Sequence, residues 1–445
     1  MTRMKDSGIE WIGEVPEDWG ITKIKFTTQL NGRIGWQGLT SAEYKEEGPY
    51  LITGTDFLDG KINFETAVHI DEKRWFEAKQ IQVENGDLLI TKDGTVGKVA
   101  IIEGLMEKAS LNSGVLRIQT TEVISRRFLF YVLKSDVFWL WFNYTNSGAS
   151  TILHLYQNVF DEFSYAFPKS LFVQTQIADF LDKKVAQLDK VKSLLEEQIK
   201  TLEDYRQSLI YETVTKGLDK TVPLKDSGVD WIGQIPEGWG VKRLKNILSD
   251  EKDNMKVGPF GSALSGNDIK SFGKKWVYNQ RTVLDNNFIT TDSFIDDTKW
   301  EELKSFSVKA GDVLLTTRGT IGKIAIVPEN NQVGIIHPCL IRFRLNEGML
   351  SGELLKYIFN DTDLVKNQLH YLSNSTTIDV IYSYNLKNIF LPVIPESVQN
   401  KITDFLKREI ARINQMIAIK KEQIENINKQ RQTLIYDYVT GKRRV

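Results

Sequence analysis

The sequence predicts an α/β protein: two similar α/β globules joined by two long antiparallel coiled-coil helices, with a pseudo-two-fold internal repeat. Three observations carry that expectation. A sixteen-residue phrase is written twice, as KDSGIEWIGEVPEDWG from Lys5 and KDSGVDWIGQIPEGWG from Lys225, with eleven positions identical. A second phrase, GDLLITKDGTVGKVAII from Gly86, returns as GDVLLTTRGTIGKIAIV from Gly311, with ten of seventeen positions identical. Each half then closes on a stretch free of Pro and Gly, with an apolar residue at nearly every seventh place, ending in RQSLIYETVT from Arg206 and RQTLIYDYVT from Arg431.

The bulk composition is compatible with this organisation. A chain of 445 residues that is 41% hydrophobic can build two or three domains with real cores. The richest apolar runs, FLFYVL and VFWLWF, are six residues each, far from the roughly 18 that a membrane span requires. The N-terminus has no apolar signal region and Cys339 has no internal partner, so the expected compartment is the cytoplasm. Lys and Arg number 57 against 58 Asp and Glu, so net charge by itself does not argue for nucleic acid. Residues 399–445 are locally basic, which suits a solvated helix face with a basic tail.

Taken in chain order, the opening phrase marks entry into each globule, and its Trp11, Trp19, Trp231 and Trp239 are expected to be buried anchors. The repeat offset is 220 residues at this phrase and 225 at the later ones, which divides the chain into halves of 1–220 and 221–445. So long a period indicates tandem duplication of a whole domain plus a helix rather than a solenoid. Between the anchors the halves diverge, as NGRIGWQGLTSAEYKEEGPYLITGTDF and VGPFGSALSGNDIKSFGKKWVYNQRTV show. Frame retention with diverging inserts fits one task performed on two targets; drift of surface loops produces the same pattern. GDLLI with KVAII, and GDVLL with KIAIV, read as strands around a turn. Arg126 to Tyr144 and Gly352 to Tyr371 read as amphipathic helices.

The terminal stretch of each half carries a seven-residue seam: Leu181, Leu188, Leu195, Leu202 and Leu209 in the first, and Leu406, Ile413, Ile427 and Leu434 in the second, where Lys420 interrupts. A helix of this length spans on the order of 50 Å and needs a partner for its apolar stripe. In the covalent order globule, helix, globule, helix, the second helix must run back along the first. The expected boundaries are 1–173 and 218–398 for the globules, and 174–217 and 399–445 for the helices.

Candidate binding residues cluster in the hairpin tips and the inserts. TKDGTVGK offers Lys92, Thr95 and Lys98, and TTRGTIGK offers Arg318, Thr320 and Lys323, donors suited to phosphates or base edges beside glycines that permit close backbone approach. Asn279, Gln280 and Arg281 are side chains able to make bidentate contacts to adenine and guanine. Arg33, Trp36, Gln37, Thr53 and Thr55 are the comparable residues of the first half. An ordinary glycine-bearing hairpin and solvated polar loops would present the same letters. The tips are not P-loops, since Lys92 and Thr317 stand where the first glycine belongs. The four histidines have no metal-ligand spacing, and no nucleophile elbow, dinucleotide fingerprint or amino-methyltransferase tetrapeptide occurs.

The paired WIGEVPEDW and WIGQIPEGW, the two Gly-Asp hairpins, and the helix segments QIADFLDKKVAQLD and RQSLIYETVTKG together resemble the specificity subunit of type I restriction-modification systems, over essentially the whole chain. That resemblance implies two target-recognition domains, each reading half of a split, asymmetric site in double-stranded DNA, and two helices that set the spacer. It implies two docked modification subunits bringing S-adenosylmethionine for adenine methylation, and restriction subunits using ATP and magnesium. It implies no catalysis, cofactor or metal in this chain, and no membrane. A coiled-coil scaffold that binds only proteins, and the specificity part of a combined restriction-modification enzyme, are the competing readings; the second requires catalytic motifs not found here.

Overall fold

The computed structural model describes residues 3–33, 39–146, 154–260, 262–373 and 380–445. The chain divides into two compact units, Met1–Leu195 with Lys421–Val445, and Glu196–Lys420. The two long helices, Leu171–Lys216 and Glu396–Val439, each begin in one unit and end in the other.

In the first unit a four-stranded antiparallel sheet runs in the order Val99–Ile101, Leu88–Thr91, Val115–Thr120, Thr28–Gly32. A second sheet contains a parallel pair, with Ala109–Leu111 aligned on Tyr50, Leu51 and Ile52. Leu88–Thr91 is buried throughout because both its faces are covered. Leu88 and Ile90 join the larger core of helices and tryptophans, while Leu89 joins a smaller cluster with Ile52, Ala100 and Leu111.

The second unit repeats this plan. Its antiparallel sheet has the order Met255–Val257, Leu340–Phe343, Val313–Thr316, Ile324–Ile326. Lys275–Tyr278 pairs in parallel with Gly334–Ile336. Val313 and Leu315 enter the larger core, and Leu314 with Ala325 the smaller one.

The helix expected from Arg126 to Tyr144 is two helices, Arg126–Lys134 and Asp136–Thr145. Buried Ser135 divides them, its hydroxyl donating to Val132 O at 2.7 Å and accepting from Val137 N at 3.3 Å. The expected helix from Gly352 to Tyr371 likewise breaks, into Gly352–Asp361 and Leu364–Ser373, at buried Thr362. Its hydroxyl donates to Ile358 O at 2.6 Å and accepts from Leu364 N at 3.3 Å.

Each opening phrase forms a small hairpin, Met4–Asp6 with Glu14–Pro16 and Leu224–Asp226 with Gln234–Pro236. Its Asp accepts from a backbone amide two residues on, at 2.9 Å in both copies. The hairpin is fastened to the end of a long helix by a tyrosine. Tyr436 donates to Trp11 O at 3.3 Å in the first unit, and Tyr211 to Trp231 O at 3.2 Å in the second. Trp19 and Trp239 are buried as expected, whereas Trp11 and Trp231 are half-buried, packed against the cores from outside.

Within each unit the two long helices run antiparallel. In the first, Phe180 packs on Tyr438 at 4.5 Å between ring centroids, and Asp189 pairs with Arg431 at 3.4 Å. In the second, Gln198 accepts from Lys420 Nζ at 2.6 Å, and Arg206 donates to Asn414 at 2.6 Å. Lys420 therefore fills its seam position by reaching across to an amide. Leu181, Leu406 and Ile413 are buried, whereas Leu188, Leu195, Leu202, Leu209, Ile427 and Leu434 are half-buried, since one partner helix cannot cover an apolar stripe completely.

A buried glutamine fixes the start of each long helix to its globule. Gln174 accepts from Ser125 N at 2.6 Å and donates to Val123 O at 3.1 Å and Pro168 O at 2.8 Å. Gln399, 225 residues later, accepts from Ser351 N at 2.7 Å and donates to Ile394 O at 2.9 Å.

Candidate nucleic-acid interface

The Gly-bearing hairpin is built identically in the two units. Its first strand is preceded by a buried aspartate. Asp87 pairs with Arg117 at 3.0 Å, while Asp312 accepts from Arg344 Nε at 2.6 Å and from Lys309 N at 2.8 Å. At the tip Gly94 and Gly97 have φ of 70° and 82°, and Gly319 and Gly322 of 64° and 78°, a region costly to other residues. Gly97 is also tightly packed: a Cβ there would stand 2.8 Å from Phe138.

The segment after the parallel strand comes to rest against this tip. In the first unit that segment is Thr53-Gly54-Thr55. A Cβ on Gly54 would lie 3.9 Å from Thr95 Oγ1, and Lys98 Nζ reaches Gly54 O at 3.4 Å. Thr53 caps the short turn Gly54–Asp56 and shares a 2.7 Å hydrogen bond with Thr55, which is exposed. In the second unit the segment is Asn279-Gln280-Arg281, and a Cβ on Gly319 would lie 3.1 Å from Gln280 Nε2. The structure thus brings together Thr53, Thr55, Lys92, Thr95 and Lys98 in one unit, and Gln280, Arg281, Arg318 and Thr320 in the other.

Backbone bonds reinforce the equivalence. Lys92 N donates to Gly114 O at 2.8 Å and Leu155 N to Lys92 O at 2.9 Å. At the matching places Thr317 N donates to Cys339 O at 2.9 Å and Ile381 N to Thr317 O at 3.0 Å. The side chains differ where the backbone does not. Asp93 Oδ1 meets His154 Nδ1 at 2.7 Å, whereas exposed Arg318 stands at the position matching Asp93. The Asp93–His154 pair was not anticipated, because 61 residues separate its members in sequence.

Three candidates are occupied structurally. Arg33 is only 5% exposed; its guanidinium donates to Leu111 O at 2.9 Å and Ser110 Oγ at 3.2 Å, tying an edge strand to the neighbouring sheet. Burial, with Arg74 as a further like charge, pulls it down to about 10. Asn279 caps the helix Gln280–Leu284, accepting from Thr282 N at 3.2 Å and donating to Ser293 Oγ at 3.1 Å. That role was readable, since Asn three residues before Thr is a helix-start pattern. Lys323 donates to Asn360 O at 2.6 Å and lies half-buried. Arg281, by contrast, is open, with a 3.9 Å approach to Asp285, and lines a polar cleft of about 480 Å³. Trp36 and Gln37 lie outside the described residues. Among the described residues no cluster of His, Cys, Asp and Glu could hold a metal ion, and no helix is long and apolar enough to cross a membrane.

Two like-built tips carrying unlike donors suit recognition of two different sequences. The type I restriction modification DNA specificity domain matches residues 37–203 and 236–426. The chain belongs to this family. Among other specificity subunits, that of the type I restriction enzyme MjaVIII of Methanocaldococcus jannaschii is 25% identical over 442 residues, covering 97% of this chain and 94% of its relative. The EcoBI specificity subunit of Escherichia coli is 26% identical over 384 residues, covering 84% and 74%. The fold is shared with a chain solved in work on complex assembly and conformational transition of the type I R-M system, with a TM-score of 0.70 at 16% identity over 96% of this chain and 99% of that one. As a specificity chain, the protein is the DNA-recognition part of a type I restriction-modification system.

Proposed function

We propose that each globular domain reads one half of a bipartite, asymmetric site in double-stranded DNA, with the long helices setting the spacer and docking two modification subunits. One observation carries this: the backbone of the hairpin and its adjoining segment is the same in both units, while Thr53-Gly54-Thr55 faces one tip and Asn279-Gln280-Arg281 the other. Apolar side chains left exposed on the helices, Val191 and Leu194 on the first and Met416 and Ile419 on the second, supply surface for docking. The modification subunits bring S-adenosylmethionine, and restriction subunits bring ATP and magnesium; this chain contributes no catalytic group.

The test is to map methylated adenines in cells expressing the chain with its cognate modification subunit. Replacing the insert between Lys23 and Asn85 with a relative's is expected to change one half-site only; simultaneous change of both overturns independent reading. Four residues inserted within 196–205 add about 6 Å of helix and nearly preserve the phase of its stripe. The spacer is expected to grow by about one or two base pairs with the half-sites unchanged. Purified alone, the chain is expected to transfer no methyl group. A protein-only scaffold would leave no bipartite methylation pattern.

A further inference from the structure

Tyr156 and Tyr382 hold equivalent places in the two units, and neither packing nor local stability accounts for them. Each directly precedes a short helix, Gln157–Phe160 or Ser383–Asn388, in extended conformation with φ, ψ of −69°, 133° and −90°, 140°. That position favours Ser, Asp or Asn, whose oxygen bonds the first amides; the tyrosines make no such bond. They remain 62% and 65% exposed, although the residues just before them, Leu155 and Ile381, are buried and bonded through their amides to the hairpin tips. Neither hydroxyl has a hydrogen-bond partner among the described residues.

The pair contrasts with its surroundings. Around each tip the donors diverge between the halves: Asp93 against Arg318, and Thr53-Gly54-Thr55 against Asn279-Gln280-Arg281. The tyrosine alone among these exposed groups is the same. Base contacts must differ between two unlike half-sites, whereas phosphates look alike in any sequence, so one residue type can serve both. We infer that Tyr156 and Tyr382 are paired DNA-backbone contacts, each donating its phenolic hydroxyl to a phosphate oxygen at its own half-site and setting the height at which the divergent donors meet the bases. This rests on the recognition reading above.

The experiment compares Tyr156→Phe and Tyr382→Phe with the unsubstituted chain, each assembled with modification subunits. Binding is measured to a duplex carrying the mapped methylation site and to one lacking it. Phe keeps the ring and removes only the donor, so assembly and melting temperature are expected to be unchanged. Each variant is expected to weaken both duplexes by the same factor, about three- to tenfold, with the methylated sequence unaltered. Unchanged affinity in either variant overturns the pairing. A changed methylation sequence overturns the backbone assignment in favour of base reading, and weakened assembly with unaltered DNA affinity assigns the tyrosines to a protein contact instead. Failure of the unsubstituted complex to prefer its own site defeats the recognition reading itself, and is visible before any variant is made.

Discussion

Replacing Gln174 with Leu tests how firmly the first long helix is fixed to its globule. Leu has nearly the same volume, so the change leaves no cavity and isolates the polar contribution. Gln174 is fully buried, and its loss strands the Ser125 amide and removes donors from the carbonyls of Val123 and Pro168. An orphaned buried amide costs about 1 to 3 kcal/mol, and the two carbonyls bring the expected total to about 3 to 5 kcal/mol. That is a large share of the roughly 5 to 15 kcal/mol that holds a domain together. Glu should be worse than Leu at neutral pH, since a carboxylate can accept from Ser125 but faces two carbonyls without a proton to offer. Because the units need not unfold together, hydrogen exchange read peptide by peptide is the appropriate assay, with urea midpoints in support. Gln174→Leu is expected to lower protection around 121–134, and Gln399→Leu to do the same around 347–361 at a smaller cost, having two bonds to lose. Unchanged protection in Gln174→Leu, or a Glu variant as stable as the parent, would refute the reasoning.

Asp312→Ala should destabilise the second unit by about 3 to 5 kcal/mol, because it leaves buried Arg342 and Arg344 without their shared carboxylate; thermal unfolding checks this. Arg281→Ala and Arg318→Ala are expected to weaken DNA binding differently in the assembled complex. Loss of a base contact costs about 1 to 3 kcal/mol and relaxes one position, while loss of a phosphate contact lowers the salt slope by about one. Lys420→Leu should change stability by no more than about 1 kcal/mol, since its bond to Gln198 is largely exposed and Leu restores the apolar seam; urea titration decides it.

Much of the architecture was legible because repetition is a long-range signal that needs no alignment. Two phrases at matching offsets fix the duplication, and a seven-residue spacing fixes the helices, whatever the loops do. The helix breaks at Ser135 and Thr362 were missed because each hydroxyl sits inside a strong amphipathic pattern that continues beyond it. Arg33 was misread for a related reason. In sequence it stands among glycines and aromatics like a loop donor, and only the strand Ala109–Leu111, some 77 residues away, reveals the carbonyl it bonds. The hairpin tips were found because the phrase repeats, whereas the segments facing them were assembled by parallel pairing, for which composition gives no cue. Gln174 and Gln399 did leave a trace, the same amide at the same offset inside an otherwise apolar stripe.

The division of the chain has a consequence during synthesis. The unit Glu196–Lys420 is continuous and can close as soon as it has emerged, although it is made second. The other unit is made first yet lacks its last 25 residues, and Ile435, Tyr438 and Val439 belong to its core. At about 5 to 20 residues per second, the 225 residues between these parts hold it open for about 10 to 45 s, with the apolar stripe of its helix uncovered. A premature stop just after Lys420 therefore damages the N-terminal recognition domain, at the far end of the reading frame, while sparing the C-terminal one.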